Sequence, residues 1–203
     1  MRQLRMRQQR GRKEKESNNG CAERYSTRLQ KQSPEIDSME ITYTTADCLL
    51  GRFLVASTKK GICMIAIGRN DRELESRLMS QFPTAVVKRD DRAMAQTART
   101  VERRVCGKDF DKKMPLDLHG TPFQLAVWKE MLRIPAGRTR SYGEVAKNIG
   151  RPTAFRAVAQ ACGANPVPVV VPCHRVVASN GLGGYTGGID RKIALLEAEG
   201  VSY

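Results

Sequence analysis

The spacing of apolar residues changes character near Gly120, and this change constrains the fold more than any other feature of the sequence. Three short runs rich in β-branched residues, typical of strands, precede it at 41–45, 51–56 and 62–67. Apolar residues at helical spacing predict helices over 71–82 and 92–105. The sequence therefore predicts an α/β fold, with a small N-terminal α/β domain and a short antiparallel sheet in residues 39–118. A mainly helical C-terminal domain follows in residues 119–203.

Two short helices joined by a glycine-containing turn are predicted in the C-terminal domain. Ser141, with Glu144 three residues later, forms a capping-box pattern that begins a helix ending near Asn148. A second helix starts at Thr153 and ends at Cys162. In a basic protein this arrangement is typical of a helix-turn-helix that contacts DNA.

The second of these helices is dominated by alanine. Only Thr153, Arg156 and Gln160 could reach nucleic acid through a polar side chain. Reading base edges usually needs several donors and acceptors, so we expect sequence-tolerant DNA binding with one protruding arginine. A small-residue packing helix with no role in binding is the alternative.

The net charge of +14 favours a polyanionic partner, and nucleic acid is the leading candidate. Residues 1–38 hold 10 basic and 5 acidic side chains, residues 39–119 hold 15 and 11, and residues 120–203 hold 10 and 5. The excess is therefore spread along the chain, although a basic surface that serves only solubility is the alternative. Residues 1–38 have almost no bulky apolar side chains, so we expect a disordered basic tail there.

The sequence also argues against several classes of protein. No apolar run approaches the roughly 20 residues that cross a membrane. The charged residues 1–16 lack the apolar segment of a secretory signal. The six cysteines show no CxxC pair, and the two histidines are His119 and His174. We therefore expect neither a disulfide framework nor a metal site, and an intracellular, reducing compartment fits best.

Cys173 is the strongest candidate for a reactive residue. It stands beside His174 and directly after the apolar stretch 167–171, and a neighbouring base favours the nucleophilic thiolate. Glu199 continues an apolar face of the last helix, where a carboxylate needs a partner such as His174. The three residues fit a nucleophile, a base and an orienting group. A buried core cysteine and a solvent-facing Glu199 are the alternatives.

A glycine-rich loop, residues 180–188, lies between Cys173 and the last helix, which begins near Asp190. Its backbone could approach a flat ligand closely. A merely flexible loop is the alternative.

These segments together resemble the O6-alkylguanine-DNA alkyltransferases, and in particular the C-terminal half of bacterial Ada proteins. The resemblance covers roughly residues 40–203 and rests on several motifs in the same order. They are Thr121-Pro122-Phe123-Gln124, Ile134-Pro135-Ala136-Gly137, Ser141-Tyr142-Gly143-Glu144, Arg156-Ala157-Val158, Asn165-Pro166, Pro172-Cys173-His174-Arg175-Val176 and Gly184-Tyr185. Relatives of the Ada type often carry Arg or Ser where this chain has Thr186, so the polarity of the pocket stays open.

The resemblance implies a single-turnover DNA repair protein that needs no cofactor. Cys173 would take the alkyl group from O6 of guanine and remain S-alkylated. His174 would act as the base through a water molecule, with Glu199 behind it. Asn165 would brace the turn that holds Cys173, and Tyr142 would donate a proton toward N3 of the leaving guanine.

The resemblance also implies how DNA is held. Arg156 would enter the stack where the damaged base has left, and the alanine-rich helix would lie in the minor groove. Three more residues would contact DNA: Thr153, Gln160 and Arg151. Four would line the guanine pocket: Tyr185, Thr186, Val176 and Gly183.

The expected partner is double-stranded DNA that contains alkylated bases, either O6-alkylguanine or O4-alkylthymine. We expect a monomer that contacts no membrane and is cytoplasmic in a bacterium or nuclear in a eukaryote. No Ada-type regulatory domain precedes residue 39, so we expect no transcriptional role. Two rival functions remain: a damage sensor that binds alkylated DNA without repairing it, and a Cys-His hydrolase that turns over repeatedly without DNA.

Overall fold

The predicted α/β fold class is confirmed by the computed structural model, which describes residues 39–108, 110 and 113–202. The predicted basic tail, residues 1–38, lies outside these residues. Within the described part, a four-stranded sheet precedes a mainly helical region. None of the helices described is both long and apolar enough to span a bilayer.

Three strands joined by tight turns form the antiparallel part of the sheet: β1 (Glu40–Cys48), β2 (Gly51–Thr58) and β3 (Gly61–Gly68). A fourth strand, β4 (Val86–Arg89), pairs in parallel with β1 and completes the order β3-β2-β1-β4. The sequence did not predict β4, because the strand is short and three of its four residues are exposed.

Two helices flank the sheet because successive side chains of β2 point to opposite faces. Leu54 packs with apolar residues of helix α1 (Asp71–Gln81). Phe53, one residue earlier, belongs to the cluster that includes apolar residues of helix α2 (Asp91–Val105). Both helices occur where the apolar spacing predicted them.

Four α-helices lie in the described residues after Gly120: α3 (Pro122–Met131), α4 (Tyr142–Asn148), α5 (Phe155–Gly163) and α6 (Ile189–Ala198). The pair α4 and α5 forms the predicted helix-turn-helix. However, α5 begins at Phe155, and the prediction that Thr153 starts this helix is wrong. Thr153 lies in the turn, because the Ala154 amide donates to the Arg151 carbonyl (2.9 Å) before the helix begins.

One hydrophobic cluster joins the sheet to the helical region. Its buried members come from both parts and include Phe53, Met94, Val127, Trp128 and Val170. The indole N–H of Trp128 also donates to the Ala161 carbonyl (2.8 Å), which fixes α3 against α5. Residues from Met39 onward form one compact unit, so the division into domains after residue 118 stays a prediction.

Gly107 connects the end of α2 to the end of α6, and its replacement should destabilise the protein. It has φ = +72°, and a Cβ there would overlap the Ala198 carbonyl. Gly150 also has φ = +72°, but a Cβ there would meet nothing within 4 Å. We expect Gly107→Ala to lower the free energy of unfolding by about 2–4 kcal/mol, against about 1 kcal/mol for Gly150→Ala. Urea denaturation measures both values, and equal losses would contradict this packing.

Candidate active site

Cys173 begins a three-residue 3-10 turn, Cys173–Arg175, that follows the valine-rich stretch 167–171. This stretch is largely buried and forms turns rather than a strand. The Val171 carbonyl accepts two hydrogen bonds, from the Cys173 amide (2.9 Å) and from the Asn165 side-chain amide (2.7 Å). The side-chain oxygen of Asn165 accepts from the Val167 amide (3.0 Å). Asn165 therefore braces both ends of the segment before Cys173, which fits the role predicted for it.

Val169 stores backbone strain within this segment. Its φ of +73° is unique among the non-glycine residues described. A β-branched side chain in the left-handed region costs about 1–3 kcal/mol. Val169 is buried with Val105 of α2 and Leu195 of α6, and this packing offsets the strain. The turn before Cys173 is thus held by its surroundings rather than by local preference.

Glu199 is the centre of a buried charge cluster at the end of α6. Its side chain is 2% exposed. This favours the prediction that Glu199 is buried beside a partner over the alternative that it faces solvent. His174 Nε2 lies 2.8 Å from Oε1. The guanidinium of Arg175 donates to both carboxylate oxygens, with Nη2 2.8 Å from Oε1 and Nε 2.9 Å from Oε2. The Gly137 amide also donates to Oε2 (3.2 Å).

These contacts decide the charge state of Glu199. Burial alone would raise the pKa of this carboxyl, but hydrogen bonds from His174 and Arg175 outweigh burial and lower the pKa to about 2. Glu199 is therefore ionised at neutral pH. The sequence did not identify Arg175 as a partner of Glu199, because nothing in the order Cys173-His174-Arg175 separates a buried cation from a surface charge.

His174 is held as a neutral imidazole. It is 1% exposed, and burial lowers its pKa, with the hydrogen bond to Glu199 acting in the opposite direction. A neutral ring that donates from Nε2 to Glu199 carries its lone pair on Nδ1. This Nδ1 is buried and has no hydrogen-bond partner among the described residues. A buried, unpaired lone pair of this kind can accept a proton.

Cys173 adjoins a cavity of about 480 Å³. Burial raises the pKa of its thiol, while hydrogen bonds with Asn165 and Tyr185 and the charge of Lys192 act in the opposite direction. The thiol is therefore protonated until a base removes its proton. Tyr185 and Thr186 of the glycine-rich loop also line the cavity, as do residues of β3 and α1.

Two residues predicted to line the guanine pocket, Val176 and Gly183, are not among the residues that line this cavity, and their contact with guanine stays a prediction. The Val176 carbonyl accepts a hydrogen bond from Lys192. Gly183 packs against the ring of Tyr142, where a Cβ would lie 2.9 Å from Cε2. The Tyr142 hydroxyl donates to the Gly184 carbonyl (3.3 Å), so the structure joins Tyr142 to the glycine-rich loop.

Lys192 is a site residue that sequence reasoning missed. Its side chain is fully buried, and its ammonium donates to the carbonyls of Val176 (2.7 Å), Leu182 (2.5 Å) and Gly184 (3.3 Å). It thereby ties α6 to the short strand Val176–Val177, which pairs in parallel with Arg140–Ser141, and to the glycine-rich loop. Lys192 shares a helical face with the buried Leu195, and a cation on an apolar face is a signal that could have revealed it.

The predicted DNA contacts lie together on the surface of the helix-turn-helix. Arg151 and Thr153 are exposed in the turn, and Arg156 and Gln160 are exposed on α5. The same helix reaches the active site at its other end, because the Thr186 hydroxyl donates to the Gly163 carbonyl (3.2 Å). Helix α5 therefore connects a basic surface to the loop beside Cys173.

Comparison with known proteins gives consistent matches. Residues 41–118 match the family model "6-O-methylguanine DNA methyltransferase, ribonuclease-like domain", and residues 122–201 match "6-O-methylguanine DNA methyltransferase, DNA binding domain". An inducible methylated-DNA–protein-cysteine methyltransferase of Bacillus subtilis is 40% identical over 151 residues, which cover 72% of this chain and 83% of that protein. A crystal structure of Mycobacterium tuberculosis OGT in complex with DNA is 38% identical, with a TM-score of 0.66 over 78% of this chain and 92% of that chain.

A further relative is longer than the matched region. The bifunctional transcriptional activator and DNA repair enzyme Ada of Escherichia coli is 43% identical over 164 residues. These residues cover 80% of this chain but only 46% of Ada. The chain thus spans about half the length of the Ada proteins that it matches.

The charge cluster at Glu199 should make stability depend on acid pH. The pKa of Glu199 is lowered from an ordinary 4.5 to about 2 in the folded protein, so its contribution is present above pH 4.5 and is lost as pH falls toward 2. We expect the melting temperature of Glu199→Gln to fall less steeply than that of the wild type between about pH 5 and pH 3. At neutral pH, Glu199→Gln should lose about 3 kcal/mol of unfolding free energy.

The control for this prediction is Glu197→Gln, which removes an exposed carboxyl from the same helix. Its melting temperature should follow that of the wild type at every pH. If Glu199→Gln and the wild type give parallel curves, the carboxylate of Glu199 does not stabilise the fold.

Proposed function

Because the chain belongs to the 6-O-methylguanine-DNA methyltransferase family, as its motifs predicted, we propose that it repairs alkylated DNA by transferring the alkyl group from O6 of guanine to its own Cys173. The observation that carries this proposal is the arrangement around the thiol. A cysteine beside a neutral imidazole held by a carboxylate adjoins a cavity, and a basic helix-turn-helix leads to the loop that lines it.

The transfer is a displacement at the alkyl carbon. His174 accepts the thiol proton at Nδ1 through a water molecule, and Glu199 stabilises the imidazolium that forms. The sulfur then bonds to the alkyl carbon while the bond between that carbon and O6 breaks. Tyr142 donates a proton toward N3 of the leaving guanine, which neutralises the negative charge on the base. The imidazolium then releases its proton to solvent and Tyr142 takes one back, so the products are guanine in DNA and S-alkyl cysteine.

The reaction needs no cofactor and occurs once per molecule. The thiolate supplies the electron pair of the new bond, and the leaving base takes the pair of the broken bond, so no oxidant or reductant takes part. Hydrolysis does not restore the thiol, because a thiolate is a poor leaving group from an unactivated alkyl carbon and the C–S bond of a thioether persists. Each protein molecule is consumed by one alkyl group.

The helix-turn-helix positions the damaged base. A base inside a duplex cannot reach a buried thiol, so the alkylated nucleotide leaves the stack, and its weakened pairing lowers the cost. Arg156 enters the space that the base vacates, and α5 lies in the minor groove, where its small residues permit close approach. The DNA backbone is contacted by Arg151, Thr153 and Gln160. Repair must work in any sequence, which suits a helix with few base-reading side chains.

The glycine-rich loop completes the site around the flipped base. Tyr185, Thr186, Val176 and Gly183 contact the flipped guanine, together with Tyr142. O4-alkylthymine offers the same kind of carbon and leaving group, so it is a second substrate of the same chemistry. The protein acts as a monomer inside the cell, in the compartment that holds the DNA.

Mass spectrometry tests the nucleophile directly. After incubation with duplex DNA that contains O6-methylguanine, the peptide with Cys173 should gain the mass of one CH2 group. The total methyl transferred should equal the protein added, with no turnover afterwards. Binding without an adduct would instead indicate a damage sensor, and repeated turnover would indicate a hydrolase. Cys162→Ala, which removes the thiol on α5, should leave the adduct unchanged, whereas Cys173→Ala should abolish it and keep DNA binding.

The role of Arg156 is tested by comparing duplex with single-stranded DNA as the substrate. Arg156→Ala should slow methyl transfer from duplex DNA about a hundredfold, because alanine makes no contacts that offset the free-energy cost of unstacking the base. Transfer from a single-stranded oligonucleotide should change much less, since little stacking is lost there. Rapid-quench kinetics with both substrates measure the two rates. Equal slowing on both substrates would show that Arg156 has another role.

A further inference from the structure

Phe155 is a large aromatic side chain that the proposed function leaves unexplained. It is the first residue of α5 and is 48% exposed. Of the large hydrophobic side chains exposed in the part of the chain that the structure describes, it is the only aromatic one. Scattered exposed aliphatic residues are ordinary. An exposed aromatic ring beside an arginine that is proposed to contact DNA, however, should affect how DNA binds.

The position of the ring connects it to Arg156. The guanidinium carbon of Arg156 lies 5.8 Å from the centre of the Phe155 ring. The two side chains therefore project together from the first turn of α5. Apart from Gln160, the rest of α5 offers small side chains at its surface, so these two are the most prominent features of its N-terminal end.

The surroundings of Phe155 match the charge of a nucleic acid. Residues 145–189 contain no aspartate or glutamate. Lys147, Arg151 and Arg156 are exposed near Phe155 in the chain, and they form no ion pair with any residue that the structure describes. A protein partner that covered an exposed ring here would have to bury these cations as well. In a DNA duplex, the phosphates can pair with these cations and the bases can contact the ring.

We propose that Phe155 is a second DNA-contacting residue, an apolar wedge that presses into the minor groove beside the gap that Arg156 fills. Apolar side chains inserted from the minor groove partly unstack a base step, and this kinks the duplex toward the major groove, away from the protein. The ring thus stabilises the distorted duplex from which the damaged base leaves. This inference rests on the proposed function, because it places α5 in the minor groove.

A positioning role is the main rival to direct contact. The ring could act only by holding the guanidinium of Arg156 in place, since a cation over an aromatic face is attracted to it. The two roles differ in a double-mutant cycle. If Phe155 contacts DNA itself, removing the ring weakens binding even when Arg156 is already alanine. If Phe155 acts only through Arg156, removing the ring causes no further loss of binding in the Arg156→Ala background.

The experiment measures equilibrium binding to a duplex that contains one O6-methylguanine, with Cys173→Ala as the parent so that no transfer occurs. We expect Phe155→Ala to raise the Kd about tenfold, as for the loss of one aromatic–base contact. Phe155→Leu, which keeps an apolar wedge, should lose less. The slope of log Kd against log salt should stay unchanged, because no charge is removed.

The matched control is Leu49→Ala, which removes an exposed apolar side chain (71% exposed) from the turn between β1 and β2. It should leave the Kd unchanged. Phe155→Ala should keep the melting temperature of its parent, since the ring is exposed. The inference is wrong if Phe155→Ala binds like its parent, if Leu49→Ala weakens binding equally, or if the loss vanishes in the Arg156→Ala background.

The methyl-transfer assay on the wild-type protein separates the two proposals. If the wild type forms no Cys173 adduct with O6-methylguanine DNA, the proposed function fails, whatever Phe155 does. If the wild type forms the adduct and Phe155→Ala binds normally, only the inference about Phe155 fails.

Discussion

The buried carboxylate of Glu199 is the interaction on which the rest of the site depends. A carboxylate in this position would be costly without partners, and the protein supplies His174, Arg175 and the Gly137 amide. The same contacts set three properties at once. They keep Glu199 ionised, they fix the tautomer of His174, and they fasten the end of α6 to the turn that begins with Cys173. Stability and reactivity therefore share one set of hydrogen bonds.

The remaining structure acts as a frame that holds a strained turn in place. Val169 adopts a backbone conformation that its own side chain disfavours, and apolar residues of α2 and α6 offset the cost. The Ile65 amide of β3 donates to the Pro166 carbonyl (2.8 Å), so the N-terminal sheet also supports the segment before Cys173. We infer that the sheet serves the chemistry by rigidity, since the proposed reacting groups all lie after residue 120.

Local patterns in the sequence explain why part of the site could be predicted. Cys173 and His174 are adjacent, and Glu199 stands on a recognisable helical face, so spacing alone brought them together as candidates. The capping box at Ser141 and Glu144 likewise forms within four residues. Lys192 escaped prediction because its partners are carbonyls of the backbone, which no side-chain pattern reveals. Thr153 was misplaced because the turn before α5 depends on a backbone hydrogen bond rather than on a helix-forming preference.

The sequence by itself determined the fold class, the helices and the three antiparallel strands, the family and the cysteine proposed to react. These follow from periodicity and from motifs whose residues are close in the chain. Only the tertiary structure decided that Val176 and Gly183 lie outside the cavity, that Arg175 and Lys192 are buried among carbonyl and carboxylate oxygens, and that Phe155 remains at the surface beside Arg156. Those facts depend on contacts between segments distant in the chain, because burial is set by what packs over a residue and not by its neighbours in sequence.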